Sequence, residues 1–325
     1  MKIHYLCEVK KIQKFMFLDR IKSKESGILL YGITPPKEQV EPQRVIEIAE
    51  KTLARLYSLD IDALVVYDVQ DESARTTEVR PFPFLNAHDP FEFAKNHLHS
   101  LEIPKIIYRP AGKFTQEELT VWVDDLVAHG FYPVFVGVPA PDFIPVTTLP
   151  EAYEIWRKYE TTSVVGAVTI PERHAVLKDE DQRILDKMSS GVSYFISQCV
   201  FNVDYAKQVV DDLSKTCAEK NAELPTLIFT LTACGSLKTL HFMEWLGIHI
   251  PEELKEEFRA SDNILGRSVE VCLTIAEELI SYCTEKGVPF GFNIESVAIR
   301  KDEIEASIFL INRIGDMLKE QGIRK

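Results

Sequence analysis

The chain is predicted to be an α/β protein, a (β/α)8 TIM barrel with an N-terminal extension and an extra helix before strand eight. Three observations predict it. Eight short apolar runs recur along the 325 residues, each followed by a segment of helical period. The runs are apolar on nearly every residue, as strands must be in a parallel sheet covered on its outer face. The length suits one barrel, and 46% hydrophobic residues are enough to fill its core. The competing arrangement is an open doubly wound sheet. No G-x-G-x-x-G turn follows the first run, however, and the weak glycine pair Gly287 and Gly291 precedes a strand.

Residues 1–26 read as an extension packing on the barrel, and 27–325 as the barrel itself. The extension's basic run (Lys2, Lys10, Lys11, Lys14, Arg20, Lys22, Lys24) is mixed with Phe15, Phe17 and Leu18, the pattern of a docked segment with a solvated face. Strand one is 28–33 in "LLYGITPPKE". It stops where proline cannot donate the next ladder hydrogen bond and restrains the residue before it. Gly32 leaves room for something flat to approach the backbone. Over 41–58, Val45, Ile48, Ala49, Thr52, Leu53 and Leu56 repeat at helical spacing. Strand two follows at 63–69 and strand three at 105–108, after which Thr115 and Glu118 form a capping box. Strand four (133–138) precedes a helix at 149–159, strand five (163–170) one at 179–190, and strand six (194–199) one at 203–220. After strand seven (226–231) come helices at 236–246, from Pro251, and at 261–286. Strand eight (290–295) leads into a last helix at 302–321.

The net charge of −13 and pI near 5.2 oppose binding to phosphate backbones, so nucleic acid is not an expected partner. No window approaches the ~18 apolar residues of a membrane span, and no signal peptide is evident, so a soluble, cytoplasmic protein without a membrane partner is expected. The six cysteines are scattered without metal-finger spacing and read as free thiols; Cys199 and Cys234 fall near strand ends.

In such a barrel the site lies at the C-terminal strand ends. Those ends carry Gly32 and Thr34 on strand one, Asp68, Gln70, Asp71 and Glu72 on strand two, and Tyr108 and Arg109 on strand three. Strand five ends in Glu172, Arg173 and His174, strand six in Ser197 and Gln198, strand seven in Thr230 and Thr232, and strand eight in Asn293 and Glu295. A buried polar group without a partner costs about 1–3 kcal/mol, so Gln198, Asn293 and Glu295 inside apolar runs are the most telling. Asp71 and Glu72 with Arg75 and Arg80 also read as a loop ion-pair network, and Glu172 with His174 as a surface loop pair. The carboxylates form no second tight cluster, and no metal is predicted.

The order of these segments resembles the methylenetetrahydrofolate reductase family from about Ile28 to the last helix. The carriers are "ITPPK", "YDVQDESARTT", "TIPERHA" (similar to Tyr-Pro-Glu-x-His-Pro), "DKMSSGVSYFISQCVFNVDYA" and "GIHIPEEL". The resemblance implies reduction of 5,10-methylenetetrahydrofolate to 5-methyltetrahydrofolate with NADH or NADPH, usually through FAD. It implies that Gln198 bonds the pterin, that Phe201 helps wall it, and that Thr34, Gln70 and Asn293 also line the folate site. It assigns Tyr108, Arg109, Glu172, His174 and Lys187 to the cofactor, with His174 in the loop that holds a flavin's phosphate or ribose. Two positions depart from the family: Gly32 stands where a general-acid glutamate is usual, and Ala140 where an aspartate adjusts the flavin. Glu295 is the candidate replacement acid, because an apolar barrel mouth raises a carboxyl's pKa, and Asp68 is the second choice. "VFVGVPA" and "PFGFNIESVAIRKDEIEASIFLI" look closer to the flavin-independent actinobacterial branch. A homo-oligomer or a complex with another one-carbon enzyme is the expected assembly. The alternatives are a folate-binding subunit that has lost the reductase acid, and a pterin-dependent methyl-transfer enzyme.

Overall fold

The computed structural model describes residues 17–73, 76–138 and 143–325. Eight parallel strands close in sequence order: β1 (Ile28–Ile33), β2 (Ala63–Val66), β3 (Lys105–Pro110), β4 (Tyr132–Val136), β5 (Val165–Thr169), β6 (Val192–Cys199), β7 (Thr226–Thr232) and β8 (Phe290–Glu295). The helices are α1 (Pro42–Leu56), α2 (Pro90–His97), α3 (Gln116–Ala128), α4 (Leu149–Arg157), α5 (Pro171–Leu177), α6 (Glu180–Ser189), α7 (Val203–Lys220), α8 (Leu237–Trp245), α9 (Glu252–Ala260), α10 (Ile264–Lys286) and α11 (Lys301–Glu320). The closed (β/α)8 barrel and the extra helix before β8 are as the sequence predicts.

Two helices go beyond the sequence reading. One is α2, whose N-cap Asp89 accepts from the amides of Phe91 and Glu92 with a proline at the first position. The other is α5, placed where a loop was expected. Its first turn is fixed by the buried Glu180, which accepts from the Ile170 amide at 3.1 Å and from Arg173 Nε at 2.7 Å.

Strand alternation separates two cores. Leu30, Val65, Tyr67, Ile106, Tyr108, Val134, Val136, Val168, Ile196 and Ile228 fill the barrel, while Leu29, Leu64, Ile107, Phe135, Phe195, Phe229 and Phe292 face the helices. At the barrel's base Phe17, fully buried in the helical stretch 17–22, packs against Tyr132 and Tyr194 at ring separations of 5.3 and 5.7 Å. Asp62 accepts from Arg20 and from Arg324, each at 2.6 Å, and from the Leu29 amide at 2.7 Å. Both ends of the described chain are thereby tied to β1. No described helix is long and apolar enough to cross a membrane.

Candidate ligand site in the barrel mouth

The polar residues that alternation turns inward meet on one side of the mouth, at β1, β2, β6, β7 and β8. Gly32 pairs in register with Glu295. A Cβ on residue 32 would lie 2.8 Å from Tyr67 Cε2 and 3.1 Å from Glu295 Cβ. The flat group that approaches the Gly32 backbone is thus the Tyr67 ring, with the Glu295 side chain beside it. Tyr67 packs edge-on against Tyr108, centroids 4.7 Å apart. The Asn293 amide nitrogen donates to the Tyr67 hydroxyl at 2.7 Å and to Thr230 Oγ1 at 3.2 Å. Its Oδ1 is buried without a partner among the described residues.

Cys199 joins this group through a register shift between Ile196 and Cys199 on β6. Ser197 Oγ fills the break, accepting from the Thr230 amide at 3.0 Å and donating to the Gln198 carbonyl at 2.7 Å. The Cys199 thiol donates to Glu295 Oε1 at 3.3 Å. Burial, and then the Glu295 charge, push that thiol well above its ordinary pKa, so it is the protonated form that faces Glu295. Burial likewise raises the Glu295 carboxyl, moderated by the Tyr67, Cys199 and Asn293 groups around it. A carboxyl in that state can give a proton to a bound nitrogen and take it back.

A roof spans this side. Closed strand order places β1 and β8 between β2 and β7. The loop after β2 crosses toward α8, where the Arg80 guanidinium lies 4.8 Å from the Phe242 ring and 5.3 Å from Trp245, and Trp245 Nε1 donates to the Glu78 carbonyl at 3.1 Å. Arg80 is therefore an aromatic anchor, more than a member of the loop ion-pair network the sequence suggests; Arg75 lies outside the described residues.

The other predicted residues divide. Gln198 is half-buried, its Nε2 donating to the Leu246 carbonyl at 2.9 Å. Phe201 is buried in a rim cluster with Cys199, Cys234, Leu240, Met243 and Phe258. Thr34 is exposed on the rim, and Gln70 Oε1 is buried without a partner among the described residues. Asp68 is apart from Glu295: it lies 4.0 Å from Arg109, and burial raises its pKa against the opposing pull of Arg109 and Lys113. Arg109 points away from the mouth, because Tyr108 takes the inward position of that pair. Its guanidinium stacks 4.5 Å from Trp122 and 4.7 Å from Phe114 and pairs with Asp89 at 2.8 Å.

His174 is fully buried in α5, not on a surface loop. Its Nδ1 accepts from the Glu180 amide at 3.2 Å, so its proton sits on Nε2 and is given to Asp212 at 2.8 Å. Lys187 donates to the Val168 carbonyl at 2.7 Å, and burial lowers its pKa to about 8. Arg109, His174 and Lys187 are all engaged inside the protein, which leaves none of them to hold a flavin's phosphates. Ala140 lies outside the described residues. Among the described residues no three or more His, Cys, Asp or Glu side chains come together as a metal set, and the five described cysteines are unpaired.

The sequence reading did not select Tyr67. Its signal was alternation: two residues beyond the inward Val65, it had to point into the mouth.

Neither a protein-family model nor a curated protein matches the chain. Among solved structures, an uncharacterized protein from Clostridium thermocellum that binds two copies of 5-methyl-5,6,7,8-tetrahydrofolic acid is 41% identical, with a TM-score of 0.81 over 92% of this chain and 98% of that one. The chain belongs to that protein's family. Beyond the family, a 2,3-dimethylmalate lyase is 13% identical with a TM-score of 0.44, covering 95% of this chain and 98% of its own. The Xanthomonas albilineans dihydropteroate synthase is 13% identical with a TM-score of 0.45, covering 90% of this chain and 94% of its own. Neither bears on the function of the family.

Proposed function

We propose that the barrel mouth binds a reduced folate that carries its one-carbon unit at N5, and that Glu295 moves the proton at that centre in a reductase of the methylenetetrahydrofolate type. The observation that carries this reading is the Glu295 side chain, which enters from β8 beside the Tyr67 ring, its Cβ 3.1 Å from where a Cβ on residue 32 would stand. The acid that the resemblance expects on strand one is supplied from the neighbouring strand. The family relationship adds the ligand: the clostridial relative binds 5-methyltetrahydrofolate, the product of the reaction. The buried, unpartnered oxygens of Asn293 and Gln70 are acceptors, suited to the N–H groups of a pterin.

In the forward direction, the Glu295 proton passes to N10 of 5,10-methylenetetrahydrofolate, the N10–carbon bond breaks, and the methylene remains on N5 as an iminium. Hydride added to that carbon gives the N5-methyl group. Reduced nicotinamide, NADH or NADPH, supplies the hydride and leaves oxidised. Tyr67 and Asn293 fix the Glu295 side of the mouth. No step is assigned to FAD, because the basic side chains expected to hold it are engaged elsewhere.

A methyl-transferring or purely folate-binding barrel is the second reading, favoured because the relative's ligand already carries its methyl group. Here too a protonated Glu295 would serve N5 as the methyl leaves. The test is a visible spectrum of the purified protein followed by NADH and 5,10-methylenetetrahydrofolate in the same cuvette. A colourless protein that consumes NADH only with the folate supports direct reduction. Folate binding without nicotinamide consumption moves the assignment to the second reading.

A further inference from the structure

Glu172 is left unused by the proton step, yet it belongs to the same mouth. It occupies the first turn of α5, immediately beyond β5. Two observations place its carboxyl. The Cys199 thiol, which donates to Glu295 at 3.3 Å, also feels the Glu172 charge. The carboxylate also accepts from its own backbone amide and from that of His249, in the rim turn whose Leu246 carbonyl receives the Gln198 amide at 2.9 Å. The Cys199 thiol thus touches one carboxyl side chain, from β8, and lies within the electrostatic reach of a second, at the end of β5. One is held at the one-carbon centre. The other has an oxygen, Oε2, that is buried and without a partner among the described residues.

We propose that Glu172 is a ligand-binding residue that reads a paired N–H edge, the N3–H and 2-amino group of a pterin ring, with the ring lying between it and Glu295. This rests on the folate reading above. A carboxylate offers two coplanar acceptors at the spacing of those two donors, the geometry that makes bidentate pairs strong and directional. With one oxygen steadied by His249, the side chain is set before the ligand arrives. Gln198, anchored to the same turn, keeps that turn in place over the edge-reading group. Burial raises the Glu172 pKa to about 7, so the empty site is easily protonated and the donor pair of a ligand draws it into the ionised form.

The experiment is a calorimetric titration of the full chain with 5-methyltetrahydrofolate and with its 2-desamino analogue, on the wild type, Glu172→Gln and Glu172→Asp. The wild type should bind the analogue about 10- to 100-fold more weakly than the parent. In Glu172→Gln that preference should collapse to within about threefold, and Glu172→Asp should recover part of it. A merely structural role would weaken both ligands equally and keep the preference; that result overturns the proposal while leaving the folate reading intact. Failure of the wild type to bind either ligand overturns both. Should the variants not fold, a crystal structure of the wild type with 5-methyltetrahydrofolate decides. Glu172 within hydrogen-bond distance of N3 and the 2-amino group supports the proposal, and that edge placed against other residues overturns it.

Discussion

Gly32→Ala isolates the packing that builds the site. The new methyl would stand 2.8 Å from Tyr67 Cε2 and 3.1 Å from Glu295 Cβ, so the ring must retreat by about half an ångström or more to reach an ordinary carbon contact. It has little freedom to do so. Tyr108 packs against it at 4.7 Å, and Asn293 holds its hydroxyl at 2.7 Å. Overpacking of this kind costs about 1–3 kcal/mol. With an unfolding entropy of about 2.1 cal/mol/K per residue, that corresponds to a fall in Tm of about 2 to 4 °C for a chain of this length. Gly137→Ala is the control, since its nearest neighbour, Leu149 Cδ1, would be at 3.6 Å. Thermal melts of both variants, with calorimetric titration of 5-methyltetrahydrofolate, should show a stability and affinity loss confined to Gly32→Ala. In a Tyr67→Leu background the Gly32 penalty should shrink by about 1 kcal/mol. Equal melts for the two alanine variants, or an undiminished penalty in that background, would refute the packing argument.

Asp62→Ala leaves the half-buried Arg20 and the buried Arg324 guanidinium groups without the carboxylate each meets at 2.6 Å. It should cost about 3–5 kcal/mol in urea unfolding, and a loss below about 1 kcal/mol would contradict that role. Glu172 ionises near 4.5 when unfolded and near 7 when folded. The folded state therefore holds the extra proton between those values: its contribution is full below pH 4.5 and is lost as pH rises to about 7, by at most about 3 kcal/mol. Glu172→Gln should flatten that part of the stability profile, and an unchanged slope would argue against a buried carboxyl there. Gln198→Ala removes the bond to the Leu246 carbonyl and should weaken folate binding by about 1–3 kcal/mol; unchanged affinity would remove Gln198 from the site.

The barrel was legible because its strands are apolar on both faces and its helices carry their own caps, as at Thr115 and Glu118, where both capping bonds form. That same two-sided apolarity hid which strand-end residues face the mouth. Tyr108 and Arg109 looked equivalent until the inward Ile106 fixed the alternation, which sends Arg109 out against Trp122. The Asp89-Pro90 pair that starts α2 is itself a local helix-start signal. By contrast, the His174 partners Asp212 and Glu180, and the register shift that brings Cys199 to Glu295, arise from contacts between separate elements and have no local signature. The cost of buried polar groups singles out Gln198, Asn293 and Glu295 in the sequence, and the structure places Asn293 and Glu295 together at the end of β8.

The most direct measurement is a calorimetric titration of 5-methyltetrahydrofolate into the wild type and Asn293→Ala. Saturable binding by the wild type, weakened about tenfold or more in the variant, is the predicted result. No binding by the wild type, or equal affinity in the two proteins, would contradict a folate site built on Asn293 and Glu295.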